Sequence, residues 1–249
     1  MQKNTPILIN VPHASTLIPQ EEATHFVTPY IKREIAVMTD WFCDDLYDSG
    51  HTMLRFPVSR LICDPERFRN DSEEIMSTVG MGAIYTRCSD GTPLKSVTPE
   101  YREALLRRYY DPYHAAFEAT AKEKLEAHGK CLIIDGHSFP AIPLPYELDQ
   151  NPSRPDICIG TDDYHTPQEL VDALVTAFTA KGYTVAINSP FSGSIVPLKY
   201  YRKDKRVMSV MIEINRGLYL DENFNKSAGY ERVKNDIMDL FGKCQVNLR

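Results

Sequence analysis

Three short apolar segments of this sequence each end at or near a residue that can bind a metal ion or transfer a proton. They run from Ile7 to His13, from Cys131 to Ser138 and from Val207 to Glu213. Continuous runs of Ile, Val and Leu are typical of strands buried on both faces, which form parallel sheets covered by helices. The ligand crevice of such a sheet lies beyond the carboxyl ends of its strands. The sequence therefore predicts a site where His13, His137 and Glu213 converge.

The length and composition suit one folded α/β unit. The chain has 249 residues, of which 43% are hydrophobic and 25% are charged, as is ordinary for a globular protein. Between its apolar segments lie segments with helical spacing, and no repeat or linker interrupts them. We therefore predict a single α/β domain over residues 1–249, with a mixed, mostly parallel twisted sheet flanked by helices.

Charge and cysteine content exclude several classes of partner. The formal net charge is −6, whereas binding to nucleic acid needs a positive field. The six cysteines form no C-x-x-C pair, and no basic-then-apolar leader opens the sequence. No apolar stretch approaches the roughly 20 residues of a membrane span. We expect a soluble, cytoplasmic protein that binds neither nucleic acid nor membranes.

Local patterns predict further elements. Thr98 and Pro99 are suited to cap and start a long helix that ends at Gly129 and is kinked at Pro112. The apolar run from Ser59 to Cys63 predicts a strand. The polar, Gly-containing segment from Pro65 to Pro99 has no clear period, and an irregular segment of that length is usually a functional loop or lid.

The two histidines predict a metal centre. Catalytic zinc takes three protein ligands from His, Asp and Glu and leaves a fourth position open. Because His13 is not followed by an acidic residue within a turn, the best third ligand is Asp40, in Thr39-Asp40-Trp41. The alternative is that both histidines are hydrogen-bonded core residues and that Asp40 is a capping or surface carboxylate.

Glu213 ends an otherwise apolar strand. A buried carboxylate without a partner costs several kcal/mol, so Glu213 needs a cation, a donor or a catalytic task. As general base it would take a proton from a water acidified by the metal. A buried ion pair with Arg216 or another arginine is the competing interpretation.

Two arginines lie near the end of the strand predicted from Ser59 to Cys63, Arg60 inside it and Arg67 in the loop that follows. Guanidinium groups bind carboxylates through two hydrogen bonds and stabilise oxyanions, so Arg60 and Arg67 suit an anionic substrate or a charged transition state. Either of them could instead pair with Asp64.

Seven short motifs occur together in one order. They are Val11-Pro12-His13-Ala14-Ser15, Thr39-Asp40-Trp41, Ser59-Arg60 with Asp64 and Arg67, Asp111-Pro112-Tyr113-His114, Asp135-Gly136-His137-Ser138, Ile159-Gly160-Thr161, and Asn188 with Phe191 and Gly193. This series, over about residues 7 to 220, resembles the N-formylglutamate amidohydrolase family. The family is similar in fold to zinc carboxypeptidases and aspartoacylases, which implies a mononuclear zinc hydrolase.

The resemblance implies roles for individual residues. It makes His13, Asp40 and His137 the metal ligands and Glu213 the catalytic base or acid. Asp64 and Arg67 would grip a substrate carboxylate, Arg60 would polarise the scissile carbonyl, and His114 would contact the substrate or a ligand.

We add Ser138 and Lys199 to the predicted substrate-binding residues. Lys199 follows a departure from the family pattern, because Leu198 stands where the family has an arginine. Lysine supplies a point charge rather than a fixed fork, so this departure indicates altered substrate specificity.

The predicted function is metal-dependent hydrolysis of a small N-formyl or N-acyl acidic amino acid, such as N-formyl-L-glutamate. Zinc is the expected ion, although mixed nitrogen and oxygen ligands also suit iron, cobalt or manganese. Two alternatives stay open. One is a carboxypeptidase-like hydrolase of a peptide or cell-wall amide. The other is a non-catalytic binding module on the same fold.

Overall fold

The computed structural model describes residues 4–247, with side chains through residue 241. In chain order the elements are β1 (Ile7–Val11), α1 (Gln20–Ala23), α2 (Ile31–Met38), α3 (Cys43–Leu46), β2 (Thr52–Arg55), α4 (Pro99–Leu105), α5 (Asp111–His128), β3 (Cys131–Phe139), β4 (Ile157–Gly160), α6 (Gln168–Ala180), β5 (Val185–Ile187), β6 (Val207–Asn215) and α7 (Tyr230–Asn247).

Six strands form one sheet in the order β2-β1-β3-β6-β4-β5. Neighbours are parallel except at the β4–β6 pair, which is antiparallel. Helices cover both faces, so the predicted α/β class with a mostly parallel, mixed sheet is confirmed. The single domain predicted over residues 1–249 stays a prediction.

The central strands are buried on both faces because each face meets a different helical layer. Ile7 and Ile9 point into a core cluster with α3, α6 and α7. Leu8 and Ile133 point the other way, into a cluster with Phe117 and Ala121 of α5. A strand whose two faces are both covered has no polar alternation, which explains the continuous apolar runs.

The strand predicted from Ser59 to Cys63 is wrong. This segment is a turn in which the Ile62 N–H donates to the Ser59 carbonyl (2.8 Å). Leu61 and Ile62 are buried in two separate clusters outside the sheet. A short apolar run reports burial, but it does not distinguish a strand from a turn packed into a core.

The helix predicted from Thr98 to Gly129 is two helices. Thr98 caps α4 by accepting from the Tyr101 N–H (3.2 Å), and Gly129 ends α5 in the left-handed conformation. A π-helical turn, Leu106–Tyr110, joins them directly before Pro112 in the first turn of α5. The chain stays helical through this turn, and the irregularity lies beside the predicted proline, which cannot donate in the helical ladder.

The segment before α4 has little regular structure, as predicted. It contains the short 3₁₀ helices Asp71–Glu73 and Ile75–Val79. Among the helices in the described part of the chain, none combines the length and apolar composition that a membrane span requires. Five cysteines are buried and unpaired, whereas the side chain of Cys244 lies outside the described residues.

Candidate metal centre and active site

The predicted site residues meet at the carboxyl edge of the sheet. His13 lies two residues beyond the end of β1, and His137 lies in β3 directly across the ladder from Glu213 of β6. All three line one cavity of about 520 Å³. Gly136 permits the close packing here, since a Cβ on it would lie 2.8 Å from the Tyr47 ring.

The two imidazoles are buried, and the Nδ1 atom of each ring faces the Nδ1 atom of the other. His13 Nδ1 lies 3.3 Å from His137 Nδ1, and both side chains are 3% exposed. Zinc–nitrogen bonds of about 2.0–2.1 Å in a tetrahedron place two ligand nitrogens roughly 3.3 Å apart. The spacing of the two Nδ1 atoms therefore fits shared coordination of one ion.

The far nitrogen of each ring is held by a carboxylate. His13 Nε2 donates to Asp64 Oδ1 (2.9 Å), and His137 Nε2 donates to Asp135 Oδ1 (3.1 Å). Such carboxylate partners fix the orientation and tautomer of metal-binding histidines. With the proton on Nε2, both Nδ1 lone pairs point to the same place.

A carboxylate oxygen of Asp40 lies near both Nδ1 atoms. Its Oδ2 lies 3.1 Å from His137 Nδ1 and 3.7 Å from His13 Nδ1, and its Oδ1 accepts from Arg216 (2.7 Å). The Asp40 N–H also donates to the His13 carbonyl (3.0 Å). Burial alone would raise the pKa of Asp40, but the two adjacent imidazoles and the charge of Arg216 hold it well below its usual range.

Glu66 is a second acidic candidate, which the sequence analysis missed. His13, Glu66 and His137 each offer a ligand atom within 4.8 Å of the others. Glu66 Oε2 lies 3.0 Å from His137 Nε2, on the side of the ring away from His13 Nδ1. Burial and the nearby Asp135 charge raise the pKa of Glu66. Its position between Asp64 and Arg67 was the available signal.

Glu213 has a carboxylate oxygen without a partner. The residue is 7% exposed, and its Oε2 is buried and makes no hydrogen bond with any described residue. Arg216, its alternative partner, instead donates to Asp40 and to Ser138. Burial raises the pKa of Glu213 to about 7. This carboxyl group is therefore suited both to accept and to release a proton at neutral pH.

Asp64 is held by four donors. It accepts from His13, from Arg60 Nη2 (2.8 Å), from the Tyr85 hydroxyl (2.6 Å) and from the Glu66 N–H (3.0 Å). Burial is outweighed by the charges of His13 and Arg60, which hold the pKa of Asp64 well below its usual range. Asp64 thus orients His13 and Arg60 rather than facing the open cavity.

Arg67 differs from the other arginines of the cavity. It lies 3.9 Å from Asp64, which is too far for a hydrogen bond, and its buried Nε has no acceptor. Within residues 4–247 no other hydrogen bond is donated by its side chain. Arg67 therefore lines the cavity with at least one buried donor, Nε, that no described residue satisfies.

Of the remaining predicted residues, His114 and Ser138 line the cavity and Lys199 does not. His114 lines the cavity and donates from Nε2 to the Pro65 carbonyl (2.8 Å), and burial lowers its pKa. Ser138 also lines the cavity, where its hydroxyl accepts from Arg216 (3.1 Å). Lys199 is not among the lining residues, and its ammonium pairs with Glu118 (2.8 Å).

Comparisons with known structures give the same fold. A crystal structure of N-formylglutamate amidohydrolase from Ralstonia eutropha JMP134 has a TM-score of 0.86 and 24% identity over 98% of this chain and 94% of that one. The structure of a gene product from Agrobacterium tumefaciens has a TM-score of 0.71 and 18% identity over 98% and 92% of the two chains. No curated protein sequence matches this chain significantly.

The family assignment comes from the sequence of the chain itself. The family model described as N-formylglutamate amidohydrolase matches residues 5–220, which hold β1 through β6 and every residue of the site. The match agrees with the convergence of His13, His137 and Glu213 at the carboxyl edge of the sheet. This chain belongs to the N-formylglutamate amidohydrolase family.

Proposed function

We propose that the protein is a metal-dependent amidohydrolase that cleaves the amide bond of a small N-formyl or N-acyl amino acid. One observation supports this proposal most strongly. His13 and His137, whose Nδ1 atoms lie 3.3 Å apart, line the same cavity as Glu213, whose Oε2 has no partner among the described residues. Family membership supports amide hydrolysis as the reaction class.

His13, His137 and one carboxylate would hold the ion. Asp40 is the preferred third ligand because its Oδ2 faces the two Nδ1 atoms, while Glu66 lies at the opposite nitrogen of His137. A bound divalent ion supplies Lewis-acid polarisation of a carbonyl oxygen and a lowered pKa for water. Zinc suits two nitrogens and one oxygen in a site with an open position.

Glu213 carries the proton transfers. Its unpartnered oxygen accepts a proton from the water that attacks the amide carbonyl carbon. The same carboxyl group then gives that proton to the leaving nitrogen as the carbon–nitrogen bond breaks. Hydrolysis of a formamide in this way yields formate and the free amine, so one water is consumed for each bond broken.

The arginines stabilise negative charge. Asp64 and the Tyr85 hydroxyl hold the Arg60 side chain, which lines the cavity, where its charge opposes the charge that develops on the carbonyl oxygen. The buried Nε of Arg67 has no acceptor among the described residues, which supports a role for Arg67 in binding the carboxylate of the substrate through two hydrogen bonds.

The test is hydrolysis by protein loaded with zinc, with N-formyl-L-glutamate and a panel of N-formyl and N-acetyl amino acids as substrates. We expect release of formate or acetate with equal amine, and loss of both activity and bound zinc in His137→Ala. His25→Ala is the matched control, because His25 lies outside the cavity and stacks on Tyr101.

Other results of this experiment would favour one of the two alternative functions. Cleavage of short peptides without cleavage of N-acyl amino acids would indicate the carboxypeptidase-like hydrolase. Absence of bound metal together with absence of hydrolysis would reject the proposal in favour of a binding module.

A further inference from the structure

The described side chains that line the cavity leave one arginine free to bind a substrate carboxylate. Among the described residues, three arginines and no lysine line the cavity. Arg60 is engaged by Asp64 and Arg216 by Asp40, which leaves Arg67 as the arginine without an acceptor in the described part of the chain. A substrate carboxylate that enters a largely buried site needs a cation, because an unpaired buried charge is costly.

A second substrate carboxylate would meet other carboxyl groups rather than a second free cation. Eight carboxyl groups of the described residues line the same cavity, of which Asp40 is paired with Arg216 and Glu147 with Arg154. An ion bound between His13 and His137 would offset the carboxylates that contact the two imidazoles, and within the described residues no such contact is made by Glu74 or Asp149, which adjoin the exposed Ile75 and Leu148 in the sequence. Glu74 uses its oxygens to accept backbone N–H groups of Phe68 and Met76, so it is held in place.

The outer part of the cavity is apolar and open. Ile75, Leu148 and Leu198 are 67%, 75% and 61% exposed, and each lines the cavity. Phe68 and Tyr201 extend this apolar rim. Exposed apolar side chains that converge from separate segments on one cavity mark a binding surface for an apolar group.

We propose that the substrate is an N-formyl amino acid with a single carboxylate and an apolar side chain, which lies against the rim of Phe68, Ile75, Leu148, Leu198 and Tyr201. Arg67 binds its carboxylate. This rests on the amide hydrolysis proposed above, but it differs from the acidic substrate that the family resemblance implies. The side-chain carboxylate of N-formyl-L-glutamate would find no second free arginine or lysine among the described lining residues.

The test compares N-formyl-L-leucine, N-formyl-L-glutamine and N-formyl-L-glutamate. Glutamine has the shape of glutamate without its charge, so it separates repulsion from size. Binding is measured by calorimetry on zinc-loaded Glu213→Gln protein, in which turnover does not interfere, and kcat/KM is measured on the unaltered enzyme. We expect leucine to exceed glutamate by about tenfold or more in both quantities, with glutamine between them.

A pair of variants tests the rim directly. Leu198→Arg places a cation at the rim and should move the leucine-to-glutamate ratio about tenfold toward glutamate. Val27→Arg adds the same charge at an exposed position that does not line the cavity, and it should leave the ratio unchanged.

The outcomes separate the two proposals. Binding of N-formyl-L-leucine in the expected order without any hydrolysis would support the assigned ligand and reject the proposed reaction. Glutamate equal to or better than leucine, binding of none of the three, or a ratio that Leu198→Arg does not move would overturn the assignment.

Discussion

Glu213 is the β6 residue directly opposite His137 in the parallel β3–β6 ladder. The pairing places a carboxylate with an unpartnered oxygen beside an imidazole whose far nitrogen is held by Asp135. Adjacent strands lie about 4.8 Å apart, so this register alone brings a proton-accepting group to the edge of the candidate metal centre.

Glu213→Gln should abolish hydrolysis while retaining bound metal. The amide has the same shape but cannot take up a proton from water, and loss of a general base typically costs about 10²–10⁴-fold in rate. Steady-state kinetics and elemental analysis on the same preparation give both quantities. Near-normal kcat in this variant would remove Glu213 from the proton pathway.

Asp40→Asn and Glu66→Gln should differ in zinc affinity. Loss of the Asp40 charge that faces both Nδ1 atoms should weaken binding by more than about 100-fold, whereas a group that only orients a ligand usually contributes about 10–100-fold. Competition with a chromophoric chelator measures both constants, and thermal unfolding checks the fold. The reverse order would assign Glu66 as the third ligand.

Arg67→Met should weaken the use of substrates that carry an α-carboxylate. A hydrogen bond to a charged group contributes about 1.5–3 kcal/mol, so kcat/KM should fall by roughly 10–150-fold. Arg69→Met is the control, because Arg69 forms exposed ion pairs with Glu103 and Asp111 outside the cavity. An N-formyl amine without a carboxylate should be insensitive to Arg67→Met. Equal losses with both substrates would argue against carboxylate binding.

Lys95 should make stability depend on pH. Its side chain is 4% exposed and donates to the Ile62 carbonyl (2.8 Å). Burial lowers its pKa from 10.5 to about 7. Between those values the unfolded chain binds more protons than the folded one, so the free energy of unfolding rises with pH over that range.

The measurement is urea unfolding of the unaltered protein and of Lys95→Met at pH 7 and pH 9. The difference between the two proteins should change by roughly 2 kcal/mol, because each pH unit contributes at most about 1.4 kcal/mol. Methionine is an unbranched side chain that is one atom shorter than lysine, and it cannot titrate. A difference that is constant with pH would show that Lys95 is charged in the folded protein throughout.

Part of the site was accessible from the sequence because strand ends meet in a predictable place. His13, His137 and Glu213 follow or end apolar runs, and parallel strands bring their carboxyl ends to one edge. Arg60 was singled out through a strand that is a turn, yet it still lines the cavity because the turn itself is buried. Lys199 had no such constraint, and its ion pair with Glu118 lies outside the cavity lining.

By itself, the sequence determined the layered α/β architecture and the elements that carry the two imidazoles, because burial on both faces leaves a continuous apolar signal. Only the tertiary structure decided that Glu66 lies beside His137, that the buried Nε of Arg67 has no acceptor among the described residues and that Leu198 belongs to an apolar rim. These relationships join loops distant along the chain. Loop packing depends on long-range contacts, which leave no periodic pattern of apolar residues in the sequence.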